Sequence, residues 1–147
     1  MNILKILTPN RLTGNIGERE AAKFLKKSGY TILEKNYVFE NSEIDIIARK
    51  DKVIAYVEVK AQTVGKEDPK KPRPAAAVTP EKQRKIIKAA SAYAAKYGRG
   101  FRSRFDVIEV FLEKAKKGTV TADIKHLVGT FDINTAYKGY HGANKER

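Results

Sequence analysis

The sequence predicts an α/β protein in which a five-stranded sheet, built around a hairpin, carries helices packed on it. Three observations give this class. Helix-like and strand-like periodicities follow one another in the order helix, three strands, helix, two strands. The stretch "SEIDIIARKDKVIAYVEVK", Ser42 to Lys60, reads as two apolar strands around a short charged turn. And 147 residues that are 41% hydrophobic can bury one core but are too few for two ordinary domains.

The elements follow in order. Residues 1–14 read as an irregular lead-in. A helix is predicted from Ile16 to Ser28, with Thr13 or Asn15 as cap and Gly29 at its end. "YTILEKNYVFE" (30–40) is the first strand, and "EIDIIARK" and "KVIAYVEVK" form the hairpin. Residues 62–78 hold three prolines and four Lys or Arg and read as a loop. Thr79 then caps a second helix that has Pro80 in its first position and reaches Tyr97. Ile86, Ala90, Tyr93 and Tyr97 recur at helical spacing and are expected to face the core. "RFDVIEVFLE" (104–113) and "VTADIKHLV" (120–128) are the last strands. One domain over 15–130 results, followed by a polar tail, 131–147, with no clear period and an expectation of disorder.

Thirty Lys and Arg against 17 Asp and Glu leave a net charge of +13. The natural partner of such a surface is a polyanion, most often nucleic acid, with an anionic membrane as a lesser competitor. The absence of cysteine excludes disulfides and cysteine-ligated zinc. His126 and His141 are the only histidines and lie apart, which argues against a histidine-built metal site. No apolar run approaches the roughly 20 residues that span a bilayer, and the start lacks the long apolar stretch of a signal peptide. The chain therefore reads as a soluble, cytoplasmic protein with no membrane partner.

The hairpin repays a reading by register. Side chains alternate across a strand, so Val53, Ala55, Val57 and Val59 form one wholly apolar face. Ile54, Tyr56, Glu58 and Lys60 take the other. A two-residue turn at Asp51-Lys52 sets Lys50 against Val53, Ile47 against Tyr56, Asp45 against Glu58 and Glu43 against Lys60. Slipping by one residue would spoil the apolar face. Two carboxylates are thus predicted side by side, which destabilises a sheet unless something compensates. A shared proton on a raised pKa, the nearby Lys60, or a divalent cation would each do so. An Asp and a Glu holding Mg²⁺ or Mn²⁺ beside a Lys suit metal-assisted phosphodiester hydrolysis. The bland alternative is a solvated sheet face with a Glu–Lys pair.

A third carboxylate, Glu18, lies on the first helix. On a helical wheel Leu25 falls about 20° from it and Ala22 about 40°, so Glu18 sits on the stripe that faces the sheet. It either complements the helix dipole or leans toward Asp45 and Glu58.

A helical Glu, a strand Asp and a Glu-x-Lys on the next strand resemble the PD-(D/E)xK nuclease superfamily, which includes restriction endonucleases and archaeal Holliday-junction resolvases. More closely, "GEREAAKFLKKSGYTIL", "KNY", "EIDIIA", "VEVK", "AVTPEKQRKIIKAASAY" and "RFDVI" resemble the YraN-type family of small bacterial proteins with an endonuclease-like fold. The resemblance implies a restriction-endonuclease-like core, a mixed sheet flanked by helices with the site at one sheet edge. It implies metal and catalytic roles for Asp45, Glu58 and Lys60, with Glu18 as a supporting metal ligand and Glu43 as a neighbour of Lys60. It also implies a DNA substrate, branched or damaged, and a homodimer by analogy with resolvases. Ser42 and Gln62 depart from the Gly and Arg that the family often carries there.

Residues 66–102 hold eleven basic and three acidic side chains. Lys66, Lys70, Lys71 and Arg73 in the loop, with Lys82, Arg84 and Lys85 in the first turns of the next helix, are the expected phosphate contacts, since the loop leaves directly from Lys60. A solvated loop and helix face is the alternative. Lys82 opposes the helix dipole, so helix stability does not explain it. Tyr137, Tyr140 and His141 are possible base-stacking groups in the tail. Arg104 and Asp106, alternate residues on one strand face, read as a structural ion pair. The function that unites these features is a divalent-metal-dependent nuclease. The alternatives are a non-catalytic nucleic-acid-binding module and a basic interaction protein on the same fold.

Overall fold

A computed structural model describes residues 9–64, 74–114 and 118–140. Helix α1 (Pro9–Lys27) leads into three strands, β1 (Thr31–Phe39), β2 (Ser42–Lys50) and β3 (Val53–Val64). A single 3-10 turn, Pro74–Ala77, precedes α2 (Pro80–Tyr97). Strands β4 (Arg102–Lys114) and β5 (Val120–Phe131) and a short α3 (Ile133–Ala136) follow. The five strands lie in sequence order. All neighbours are antiparallel except β3 and β4, which α2 connects in parallel. The predicted mixed five-stranded sheet flanked by helices is therefore present.

The two helices cover opposite faces. On the α1 side, Ala21, Ala22 and Leu25 pack on Ile46, Ala55, Val57 and Val59. On the α2 side, Ile86, Ile87, Ala90 and Tyr93 pack on Ile44, Ile47, Ile54 and Tyr56. The hairpin has the predicted register: Lys50 pairs with Val53, Ile47 with Tyr56 and Ile46 with Val57. Asp51 makes the tight turn at φ 54°. Thr79 caps α2 as expected, its Oγ1 accepting from the Lys82 N–H at 3.3 Å.

Arg104 and Asp106 are paired, as predicted, but in the interior. Asp106 is fully buried on the α1 face. It accepts from Arg104 Nη2 at 2.7 Å and the Gly129 N–H at 2.9 Å, and bonds His126 Nε2 at 2.8 Å. Burial alone raises such a carboxyl, yet His126, Arg104 and Gly129 together hold it below its ordinary range. Arg104 also donates to the Tyr30 hydroxyl at 2.6 Å. The network ties β4, β5 and the start of β1 together at one end of the sheet.

Three sequence readings are corrected. Helix α1 begins at Pro9 rather than Ile16, so Thr13 and Asn15 are helix interior and not caps. A potential cap marks a start only where the preceding residues cannot be helical, and proline is tolerated in a first turn. Tyr97 is 55% exposed rather than in the core. It sits in the last turn of α2, tilted against the Tyr93 ring at 4.9 Å, with Lys96 over it at 5.2 Å. The segment after residue 131 is folded as far as Tyr140. Asp132 and Thr135 form a reciprocal capping box that opens α3, and Phe131 and Ala136 are buried. His141 lies outside the described residues.

Candidate active site

The site lies where β2 parts from β3. Their ladder runs from Lys50↔Val53 to Ile46↔Val57 and stops. At the next step the Asp45 side chain replaces the backbone, its Oδ2 accepting the Val59 N–H at 2.7 Å. The β2 backbone turns over here. Ile46 packs on the α1 side, but Ile44, two residues earlier, packs on the α2 side. Strict alternation would put them on one face. This fork lets groups from both sides of the sheet meet at Asp45.

From the α1 side comes Glu18. Its approach depends on Gly17, where an added Cβ would stand 2.5 Å from the Ala61 Cβ of β3. Only glycine lets the helix lie this close to the strand. Ligand oxygens of Glu18, Glu43 and Asp45 all fall within 4.8 Å of one another. From β1 comes Asn36, held at φ 52°. With its amide nitrogen turned to the acids, it donates to Glu43 Oε1 at 2.8 Å and Glu18 Oε2 at 3.2 Å.

From the α2 side comes Glu58, only 3% exposed. Its Oε1 accepts from Lys82 Nζ at 2.9 Å and lies 3.5 Å from Lys60 Nζ. Its Oε2 is buried and has no donor among the described residues. The Asp45 carboxyl lies close enough to Glu58 to feel its charge strongly. Burial, and then the Glu58 charge, push the Asp45 pKa up to about 8. Burial and the Glu43 and Glu58 charges also raise Glu18. Lys82 is lowered by burial but raised on balance by its bond to Glu58 and by the Glu58 and Asp45 charges. In a protein of net charge +13, this is a local centre of four acidic residues, of which Glu58 pairs with two ammonium groups. Two of the acids, Glu43 and Asp45, open on a cleft of about 490 Å³ between β2 and the start of α2, lined also by Ser42, Thr79, Lys82 and Lys85.

Glu18, Asp45, Glu58 and Lys60, all singled out in the sequence, are thus brought together. Glu43 is not where register alone would set it. Because the strands fork, it joins Glu18, Asp45 and Asn36 instead of Lys60. Lys82 does not lie free for a phosphate; it bonds Glu58. Arg84 points elsewhere, to the Ala136 carbonyl at 2.8 Å. Lys85 is exposed at the cleft rim, 3.9 Å from Glu81. Lys66, Lys70, Lys71 and Arg73 lie outside the described residues. Where the described chain resumes, the buried Glu109 accepts the Ala75 N–H at 3.2 Å and pairs across the strands with Lys60. Sequence reasoning missed Asn36, Gly17 and Glu109. The left-handed tolerance of asparagine was the only local signal for the first.

No helix among the described residues is long and apolar enough to cross a membrane. Residues 17–110 match Uncharacterised protein family UPF0102. Among the curated relatives, a UPF0102 protein of Chlorobium phaeobacteroides is 38% identical over 122 residues, covering 82% of this chain and 93% of the relative. One from Chlorobaculum parvum is 41% identical over 123 residues, covering 82% and 92%. One from Clostridium perfringens is 46% identical over 102 residues, covering 69% and 80%. With the matched span enclosing Glu18, Asp45, Glu58, Lys60 and the fork that gathers them, the chain belongs to the UPF0102 family, the YraN family whose motifs its sequence carries.

Proposed function

We propose that the protein is a divalent-metal-dependent nuclease that hydrolyses DNA phosphodiester bonds. The observation that carries this reading is the meeting of Glu18, Glu43, Asp45 and Glu58 at one fork, beside two lysines. Isolated buried charge is costly, and like charges packed together are costlier. A structural role for four acids here has no evident gain. A cation-binding role explains them.

The donor set fits Mg²⁺ or Mn²⁺. All the donors are hard carboxylate oxygens, and the buried Glu58 Oε2 lacks a donor of its own. Asp45 and Glu58 would hold the ion with Glu18, while Glu43 is the carboxylate whose oxygen falls within 4.8 Å of both Glu18 and Asp45. When bound, such an ion polarises a phosphate and lowers the pKa of a water. The chain's own groups do the rest. Lys60, 3.5 Å from Glu58, would orient a water or steady negative charge growing on the phosphate. Lys82 fixes Glu58 Oε1, and Asn36 fixes the two outer glutamates. The basic surface supplies phosphate contacts without reading sequence.

The test is incubation with single-stranded, duplex and branched DNA in Mg²⁺ and in Mn²⁺, beside an Asp45→Ala, Glu58→Ala double variant. Cleavage by the parent and not by the variant is expected. Equal cleavage by both, or tight salt-sensitive binding with no cleavage by either, would count against the reading.

A further inference from the structure

We propose that the cleft between α2 and the C-terminal segment is a subsite for an unpaired DNA strand continuing from the catalytic cleft. This takes its substrate from the nuclease reading, but its binding claim can stand or fall alone. The cleft measures about 590 Å³ and is lined by Glu81, Arg84, Lys85, Lys88, Tyr137 and Tyr140. That is within the roughly 300–1,000 Å³ of ligand clefts. Glu81 and Lys85 also line the catalytic cleft, so the two clefts adjoin.

The aromatic pair is built, not loose. The capping box of α3 and the buried Ala136 hold the segment in place. Arg84 clamps it, donating from Nη1 to the Ala136 carbonyl at 2.8 Å and lying 4.2 Å from the Tyr140 ring centre. The Tyr137 and Tyr140 rings stand edge to face at 5.5 Å. Yet Tyr137 is 40% and Tyr140 49% exposed. Core packing does not account for two rings held in place yet half exposed.

Stacking rings flanked by cations are the recognition chemistry of single-stranded nucleic acid. A base can extend the stack already begun by Arg84 on Tyr140, while phosphates meet Lys85 and Lys88. Those lysines now pair with Glu81 at 3.9 Å and Glu40 at 2.9 Å. Both are exposed pairs, which hold their cations weakly and can yield them to phosphate. In duplex DNA the base faces are already stacked, so the rings have nothing to grip. The preference should therefore be for a strand end, flap or junction arm.

The test is a titration, in EDTA and low salt, of a short DNA strand carrying 2-aminopurine. The same strand is used alone, in a blunt duplex, and as the single-stranded arm of a duplex. The protein should quench the fluorophore in the free strand and the arm. A Tyr137→Leu, Tyr140→Leu variant should lose about tenfold or more in affinity for both, with blunt-duplex binding unchanged. The Tyr→Phe pair should bind like the parent. Should the double Leu variant melt, Tyr140→Leu alone decides. Unchanged strand affinity in the Leu variants, or no quenching by the parent, overturns the subsite. Tyrosine-dependent strand binding without cleavage under any metal removes the nuclease reading and leaves the subsite. Cleavage with tyrosine-independent binding does the reverse.

Discussion

Gly17 of α1 and Ala61 of β3 touch so closely that a methyl group on the glycine would lie 2.5 Å from the alanine Cβ. The neighbouring Glu18 reaches Asp45 because of that contact. Gly17→Ala should gain about 1 kcal/mol of helix propensity. It should lose about 1–3 kcal/mol to overpacking, and the second effect should win. The shift of α1 should also weaken Mn²⁺ binding. Ala61→Gly added to Gly17→Ala removes the clash and should restore much of both. Denaturant melts and calorimetric titration read the two effects. A Gly17→Ala protein with parental stability and metal affinity would sink the close-contact account.

The two lysines beside Glu58 should behave differently. Lys82 Nζ, 2.9 Å from Glu58 Oε1, would compete with a cation for that oxygen. Lys82→Met should destabilise the metal-free protein by about 1–3 kcal/mol, because a buried acceptor loses its closest donor. The same change should tighten Mn²⁺ binding. Lys60→Met should leave metal affinity near parental and cut cleavage about 10²–10³-fold, as for loss of a group that meets transition-state charge. Matching effects from the two substitutions would show that the lysines are interchangeable and refute this division.

Stability should depend on pH in both directions. Asp45, pushed up to about 8, binds its proton more tightly folded than unfolded. Its contribution is full below an ordinary carboxyl pKa of about 4 and is lost as pH rises toward 8. Asp106, held low, contributes above about 4 and loses that contribution in acid. The metal-free melting temperature should therefore fall on both sides of a mildly acidic optimum. Asp45→Asn should flatten the alkaline side only. Mn²⁺ should raise the alkaline side most, since it would bind the ionised acids. A melting temperature that climbs from pH 5 to pH 8 without metal would contradict the raised Asp45 pKa.

The hairpin was legible because the all-apolar set Val53, Ala55, Val57 and Val59 tolerates one register, and that register brings Asp45 to Glu58. The start of α2 was legible because Thr79-Pro80 is a local signal for a local event. Glu18 was legible from the wheel. The fork was not. It depends on Ile44 and Ile46 packing on opposite faces, and alternation predicts one face. Glu43 was misplaced for the same reason. The folded C-terminal segment was hidden because a capping box of two residues, Asp132 and Thr135, gives no period to read.

Asn36 offers the sharpest separation of backbone from side chain. Its φ of 52° suits asparagine and glycine and strains most other residues. Its amide also bridges Glu18 and Glu43. Asn36→Gly keeps the backbone and deletes the bridge. Asn36→Ala deletes the bridge and adds strain of about 1 kcal/mol. Both should weaken Mn²⁺ binding to a similar degree, because the two glutamates lose their common donor and drift. Only the alanine variant should also lower metal-free stability by the added strain. Asn36→Asp should do worse than either in metal-free protein, placing a further carboxylate against two others. Added Mn²⁺ should recover it most. Calorimetry and melts on the three variants check the order, and equal metal affinity in the glycine variant and the parent would remove Asn36 from the site.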